Sequence, residues 1–189
     1  TVAVSYLWFA VITVYYALSI YCAGMSGGSI YLNVFLATVI EAPVYASSSF
    51  IADYFGRKRT IFIALCQSSI CAIIIVIIGG VSNGSMLTTG LALFSKLFIT
   101  VAVSVIYVWS SELYPTDVRG LAFGTANVFA RIGGLISPFI VGPTIAEINK
   151  DLPLFILAII AIVAAAFAFQ LPETRGLSLP ETLQSRRLG

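Results

Sequence analysis

Arg131 lies near the middle of GLAFGTANVFARIGGLISP, residues 120–138, a run apolar and long enough to cross a bilayer. At helical spacing Gly120, Gly124, Asn127, Arg131, Gly134 and Pro138 recur at steps of three and four, so they share one face. Leu121, Phe129, Leu135 and Ile136 fall on the other. Small residues on one face let another helix, or a ligand, approach the backbone closely. A guanidinium at bilayer depth costs at least ~2.5 kcal/mol on insertion scales and cannot shed its proton. It needs an anionic partner or a water-filled cavity. It serves either as a helix-to-helix ion pair or as a charge lining a substrate path.

Two further charges sit inside apolar segments. Glu41, in VIEAPVY, has Tyr45 one turn on, and Lys96 heads a polar stripe of Lys96, Thr100, Ser104, Tyr107 and Ser111. From a rise of about 1.5 Å per residue, Glu41 and Arg131 should lie at similar depth, with Lys96 one turn farther out. One carboxylate cannot neutralise two cations, so one positive charge is left over. We expect Glu41 and Lys96 to pair as a structural bridge. Arg131 then lines a wet, positive cavity suited to a carboxylate or sulfonate, provided no acid from elsewhere faces it. Asn127, Tyr45, Tyr107 and Trp8 are the candidate companions of Arg131 in a substrate site. Trp8 and Tyr15 share a face at i, i+7, with Tyr16 adjacent, although aromatics at helical spacing serve equally as packing.

These residues need helices in a membrane to hold them. Hydrophobic residues make up 59% of the 189, and charged ones only 10%, against about 25% in a soluble domain. We read six spans, at about 3–23, 30–52, 60–80, 86–111, 118–141 and 152–171, an all-α transmembrane bundle over 1–171 with a polar tail over 172–189. The breaks are GMSGGS, DYFGRKR, VSNGS, ELYPTD and a loop holding Pro143, Glu147, Lys150 and Asp151. Arg57, Lys58, Arg59, Arg119, Arg175, Arg186 and Arg187 fall on one side and Lys150 alone on the other. The basic side is cytoplasmic by the lysine and arginine bias, which puts both ends inside. The Asn83-Gly84-Ser85 sequon falls outside, in a loop too short to expect a glycan. Pro180 and Glu181 look like the start of a short cytoplasmic helix.

Several function classes drop out. The sequence has no histidine, so metal sites and catalytic triads built on imidazole are excluded, and no cofactor or enzyme activity is expected. No basic tract suggests nucleic acid. Cys22, Cys66 and Cys71 lie in apolar runs without CxxC spacing and read as small hydrophobes. No signal peptide precedes the first apolar run, and so abrupt an opening suggests a piece of a longer protein.

The loops carry a more specific signal. ADYFGRKR, residues 52–59, resembles the inter-helix loop of the major facilitator superfamily. SELYPTDVRG, residues 111–120, and LPETRGLSLPET, residues 171–182, resemble its organic cation, anion and zwitterion transporters, which include the carnitine transporters. Sugar porters share a PETRG-like end, but also have a glutamine pair in the first of these helices and a Gly-Pro-rich stretch before the glutamate of the fourth. Residues 6–22 and 101–115 have neither. The resemblance covers essentially the whole chain as the C-terminal six-helix half of a twelve-helix transporter, and implies a missing N-terminal half as partner. It also implies a substrate class. Cation transporters of this branch typically carry aspartate where Arg131 stands, whereas anion and carnitine transporters carry arginine. Glu41 to Tyr45 looks more like the carnitine pattern.

The expected function is alternating-access movement of a small organic ion, anion or zwitterion ahead of cation, across what we expect to be the plasma membrane. The rival is a half-length product that does not transport and instead regulates a full-length relative. On the cytoplasmic side Asp53, Arg57, Glu112 and Arg119 are expected to form a latch. In it Asp53, disfavoured at the end of its own helix, anchors the start of the fifth helix beside Arg119.

Overall fold

The computed structural model describes residues 2–25, 30–78, 86–142, 145, 149 and 151–174. Among the described residues are six helices: α1 (Val2–Met25), α2 (Ile30–Phe55), α3 (Arg57–Ile77), α4 (Met86–Leu113), α5 (Thr116–Val141) and α6 (Leu152–Gln170). No strand occurs among the described residues. The expected turn at 26–29, the Asn83-Gly84-Ser85 sequon, Pro143, Glu147, Lys150 and the tail from Arg175, with Pro180 and Glu181, lie outside them.

Among the described residues, five helices are long and apolar enough to cross a membrane; α2 is not among them. Its 26 residues suffice in length, but its interior holds Glu41, Pro43, three consecutive serines from Ser47 and, near its end, Asp53. It still packs into the bundle, against α4 and α1, and its Glu41 is buried.

Helices outrun the apolar segments that define them in sequence, because a turn standing in water tolerates charge. The expected break at 53–59 contracts to Gly56 and that at 112–117 to Tyr114 and Pro115. Gly56 holds φ at 93°, which side-chain-bearing residues rarely adopt, so the chain can turn from α2 into α3 within one residue.

α1 is the hub. It packs against α5, α4, α6 and α2, while α3 packs on α4 and α6. Leu7, Trp8, Val11, Val14 and Leu18 are all buried, as expected of a helix apolar around most of its circumference. Its seam with α5 is built from small side chains: Ala122, Ala126, Ala130, Gly133 and Ser137 are buried. At Gly133 an added Cβ would stand 2.6 Å from the Phe9 carbonyl oxygen, so the two backbones touch there. The small face was expected to admit a helix or a ligand, and among the described residues no helix closes on it at Gly120 or Gly124. Gly120 and Gly124 have nothing within 4 Å of a would-be Cβ, and the close approach is made one face over. Leu121 and Leu135 are more than 70% exposed, and Leu135, expected opposite Arg131, lines one cavity with it because i, i+4 share a face.

Candidate functional site

Arg131 opens into a cavity of about 410 Å³ between α1, α4 and α5. Tyr16 comes from α1, Tyr107 from α4, and Asn127, Arg131 and Gly134 from α5. Gly134 keeps the wall low, since a Cβ there would already reach the Tyr16 ring at 3.4 Å. The Asn127 amide donates to its own helix at the Phe123 carbonyl, 3.4 Å away, while facing the cavity. Among the described residues no carboxylate stands within ion-pair distance of Arg131.

Lys96 and Glu41 are brought together across α4 and α2. Lys96 Nζ lies 2.5 Å from Glu41 Oε1, and both side chains are buried. The lysine stem covers the offset of one turn. The Tyr15 hydroxyl donates to Glu41 Oε2 at 3.0 Å. The rest of the α4 stripe does not act as a polar lining. Thr100 and Ser104 return their hydroxyls to the carbonyls of Lys96 and Thr100, and Ser111 returns its own to Val108. Only Tyr107 of that stripe reaches the Arg131 cavity.

Two of the expected companions of Arg131 sit elsewhere. Trp8 is fully buried, so it is not on the open face. Its indole N–H donates to Ser110 Oγ at 2.7 Å, and its ring stands edge-on to Tyr107, centroids 4.5 Å apart. A large ring with one polar handle is best satisfied inside the bundle, where it backs Tyr107. Tyr45 is exposed on α2, one turn beyond Glu41; it does not line the Arg131 cavity but hydrogen-bonds Tyr15 and stands near Tyr16 and Tyr107, which do. Tyr16 replaces it there. Its signal in the sequence was its place beside Tyr15, one helical step round α1.

At the basic end Arg57 Nη2 bridges Asp53 Oδ1 at 2.8 Å and Glu112 Oε1 at 3.2 Å, tying α2, α3 and α4. Asp53 does not anchor α5 as expected, because its partner is Arg57 on the far side of the Gly56 turn. Arg119 stays out of the ion cluster and donates Nε to the Tyr114 carbonyl at 3.4 Å. Two residues not singled out from the sequence complete the cluster. Glu173 Oε1 accepts the backbone N–H of Arg57 at 2.9 Å and of Lys58 at 3.4 Å, a carboxylate at a helix N-terminus. Thr174 donates to Glu112 Oε2 at 2.5 Å. The segment after α6 is thereby pinned to the start of α3 and the end of α4.

A family model described as sugar (and other) transporter matches residues 2–184. Solute carrier family 22 member 15 of Xenopus tropicalis is 34% identical over 99% of this chain and 36% of its own length. Solute carrier family 22 member 13 of Homo sapiens is 33% identical over 100% of this chain and 33% of its own length. Organic cation/carnitine transporter 2 of Mus musculus is 30% identical over 94% of this chain and 31% of its own length. The chain thus spans about a third of the length of these relatives.

Proposed function

Because the chain belongs to the sugar (and other) transporter family of the major facilitator superfamily, we propose that it supplies one half of a path by which a small organic ion crosses the membrane. The bundle rocks against a second one around a midplane site. Organic anions and carnitine-like zwitterions are favoured over cations. The observation that carries this reading is Arg131, a guanidinium in an open cavity with no carboxylate partner among the described residues. A relative named as a cation/carnitine transporter supports keeping zwitterions in the class.

The bundle is residues 1–171, with 172–189 as a cytoplasmic tail. The end with Arg57, Lys58, Arg59 and Arg119 faces the cytoplasm of a plasma-membrane protein. There the cluster of Arg57, Asp53, Glu112, Glu173 and Thr174 acts as a latch that releases as the bundles rock. The second bundle seats on the apolar side chains that α2 and α5 leave exposed, among them Phe35, Phe50, Leu121 and Leu135. That exposed surface also favours a second reading, in which the chain docks on a full-length relative and regulates it without transporting.

The test is uptake of a labelled carboxylate, carnitine and a simple quaternary ammonium, with surface level controlled. The chain is expressed alone and together with a complementary six-helix half. Carboxylate or carnitine uptake that needs the second half and is lost in Arg131→Ala supports the proposal. Preference for the quaternary ammonium, or anion uptake untouched in Arg131→Ala, returns Arg131 to a packing role. Absence of uptake with the second half, together with altered uptake by a co-expressed relative, favours the regulatory reading.

A further inference from the structure

α2 and α3 leave Gly56 on diverging courses and pack on each other only sparsely. The wedge between them is floored by α4 and forms a cavity of about 450 Å³, lined by Val44, Ile51 and Phe55 of α2, Ile63 of α3, and Leu97 and Phe98 of α4. Its two hydroxyls are already used: Ser47 donates to the Pro43 carbonyl at 2.9 Å and Thr60 to the Gly56 carbonyl at 2.7 Å. Water gains no partners there, whereas an alkyl chain fits.

A second cavity, of about 610 Å³, opens at the Gly56 end of the wedge. Phe55 and Ile63 line both, so the two adjoin. The second is lined also by Lys58, Arg59, Phe62, Phe169 and Glu173. Lys58 Nζ lies 4.9 Å from the centroid of the Phe169 ring, which holds the ammonium at the mouth. The acid present, Glu173, gives Oε1 to the amides at the start of α3. Among the described lining residues, two cations against one carboxylate leave the mouth positive.

We propose that this pair of cavities holds one anionic phospholipid, its acyl chain in the wedge and its phosphate head against Lys58 and Arg59. A dry, chain-shaped groove in the membrane-spanning part, ending in a cationic mouth, matches an amphiphile of that polarity. The wedge would exclude a soluble anion, and the mouth selects against a head with no net charge. If this end is cytoplasmic, the site lies in the leaflet rich in anionic lipid. The binding itself does not depend on orientation or on which solute is moved.

The test counts lipids that stay bound in native mass spectrometry of the purified protein in a neutral detergent. Phosphatidylglycerol, phosphatidylcholine of the same chains, and glycerol phosphate are supplied separately at low salt. Phosphatidylglycerol is retained roughly thirtyfold over phosphatidylcholine, given the attraction expected of two basic residues, and glycerol phosphate is not retained. Lys58→Gln with Arg59→Gln brings the two lipids level, and Ser47→Phe, which fills the wedge from an exposed position, loses both. Equal retention of the two lipids by the wild type overturns the proposal. So does unchanged phosphatidylglycerol preference in the double variant, or retention of glycerol phosphate alone, which marks a surface anion site. The wild-type lipid ratio needs no variant and decides the matter even where a substitution prevents folding.

Discussion

Tyr15 donates its hydroxyl to Glu41 Oε2 at 3.0 Å, so α1 holds the same carboxylate that Lys96 neutralises from α4. Tyr16, the next residue, faces the Arg131 cavity, and the two rings stand edge to face with centroids 5.5 Å apart. Adjacent residues of α1 thus reach a neutralised ion pair on one side and, on the other, the cavity of a guanidinium with no carboxylate partner among the described residues. A shift of α1 cannot disturb one without moving the other.

Removing one partner of the buried pair strands a charge. Lys96→Ala should cost ~3–5 kcal/mol and lower folded protein at the membrane. The swap Glu41→Lys with Lys96→Glu should recover part of it. Tyr15→Phe removes one hydrogen bond to a charged group and should cost less, about 1.5–3 kcal/mol. Detergent-solubilised thermal stability ranks the variants, and normal stability of both Lys96→Ala and Glu41→Ala would mean that the pair contributes nothing.

Gly133 and Gly124 look alike in sequence and differ in the bundle. Gly133→Val should separate α1 from α5, because even a Cβ meets the Phe9 carbonyl at 2.6 Å. Gly124→Ala meets nothing within 4 Å and should gain roughly 0.5–1 kcal/mol from the backbone. Equal melting temperatures for the two variants would contradict the seam.

What was legible in the sequence follows from what repeats along one helix. Span lengths come from apolar runs, and the excess of one positive charge comes from counting. The seam between α1 and α5 was not legible because glycine and alanine both permit close approach, and only the partner helix decides which face uses it. Trp8 was misplaced for a related reason, since Ser110 is 102 positions away and nothing local announces a hydrogen bond to it. Glu173 stood in the noticed PETRG segment, but its work at the start of α3 depends on how the chain folds back after α6.

The basic-end cluster separates a strong contact from a weak one. The Asp53 side chain is 66% exposed, so its pair with Arg57 is worth at most ~1 kcal/mol. Glu112 is 20% exposed and holds both Arg57 and Thr174. Glu112→Gln should therefore change turnover several-fold more than Asp53→Asn, with equilibrium substrate binding little altered in either. Counterflow rates set against binding constants read this directly. A larger effect from Asp53→Asn would restore Asp53 as the anchor.

Charge and fork geometry at Arg131 can be told apart by substitution. A guanidinium grips a carboxylate or sulfonate through two parallel hydrogen bonds, and an ammonium offers the charge without the fork. Arg131→Lys should keep anion selectivity while losing about tenfold in affinity, the equivalent of one charge-assisted hydrogen bond of ~1.5 kcal/mol. Arg131→Asp reverses the sign in a cavity walled by Tyr16 and Tyr107, whose ring faces attract cations. It should abolish anion uptake and admit a quaternary ammonium. Competition curves for a carboxylate, carnitine and a quaternary ammonium, measured with the complementary half present, give the three affinities side by side. If Arg131→Lys matches wild type for every ligand and Arg131→Asp still takes up anions, no substrate group touches position 131, and selectivity is set by the other bundle.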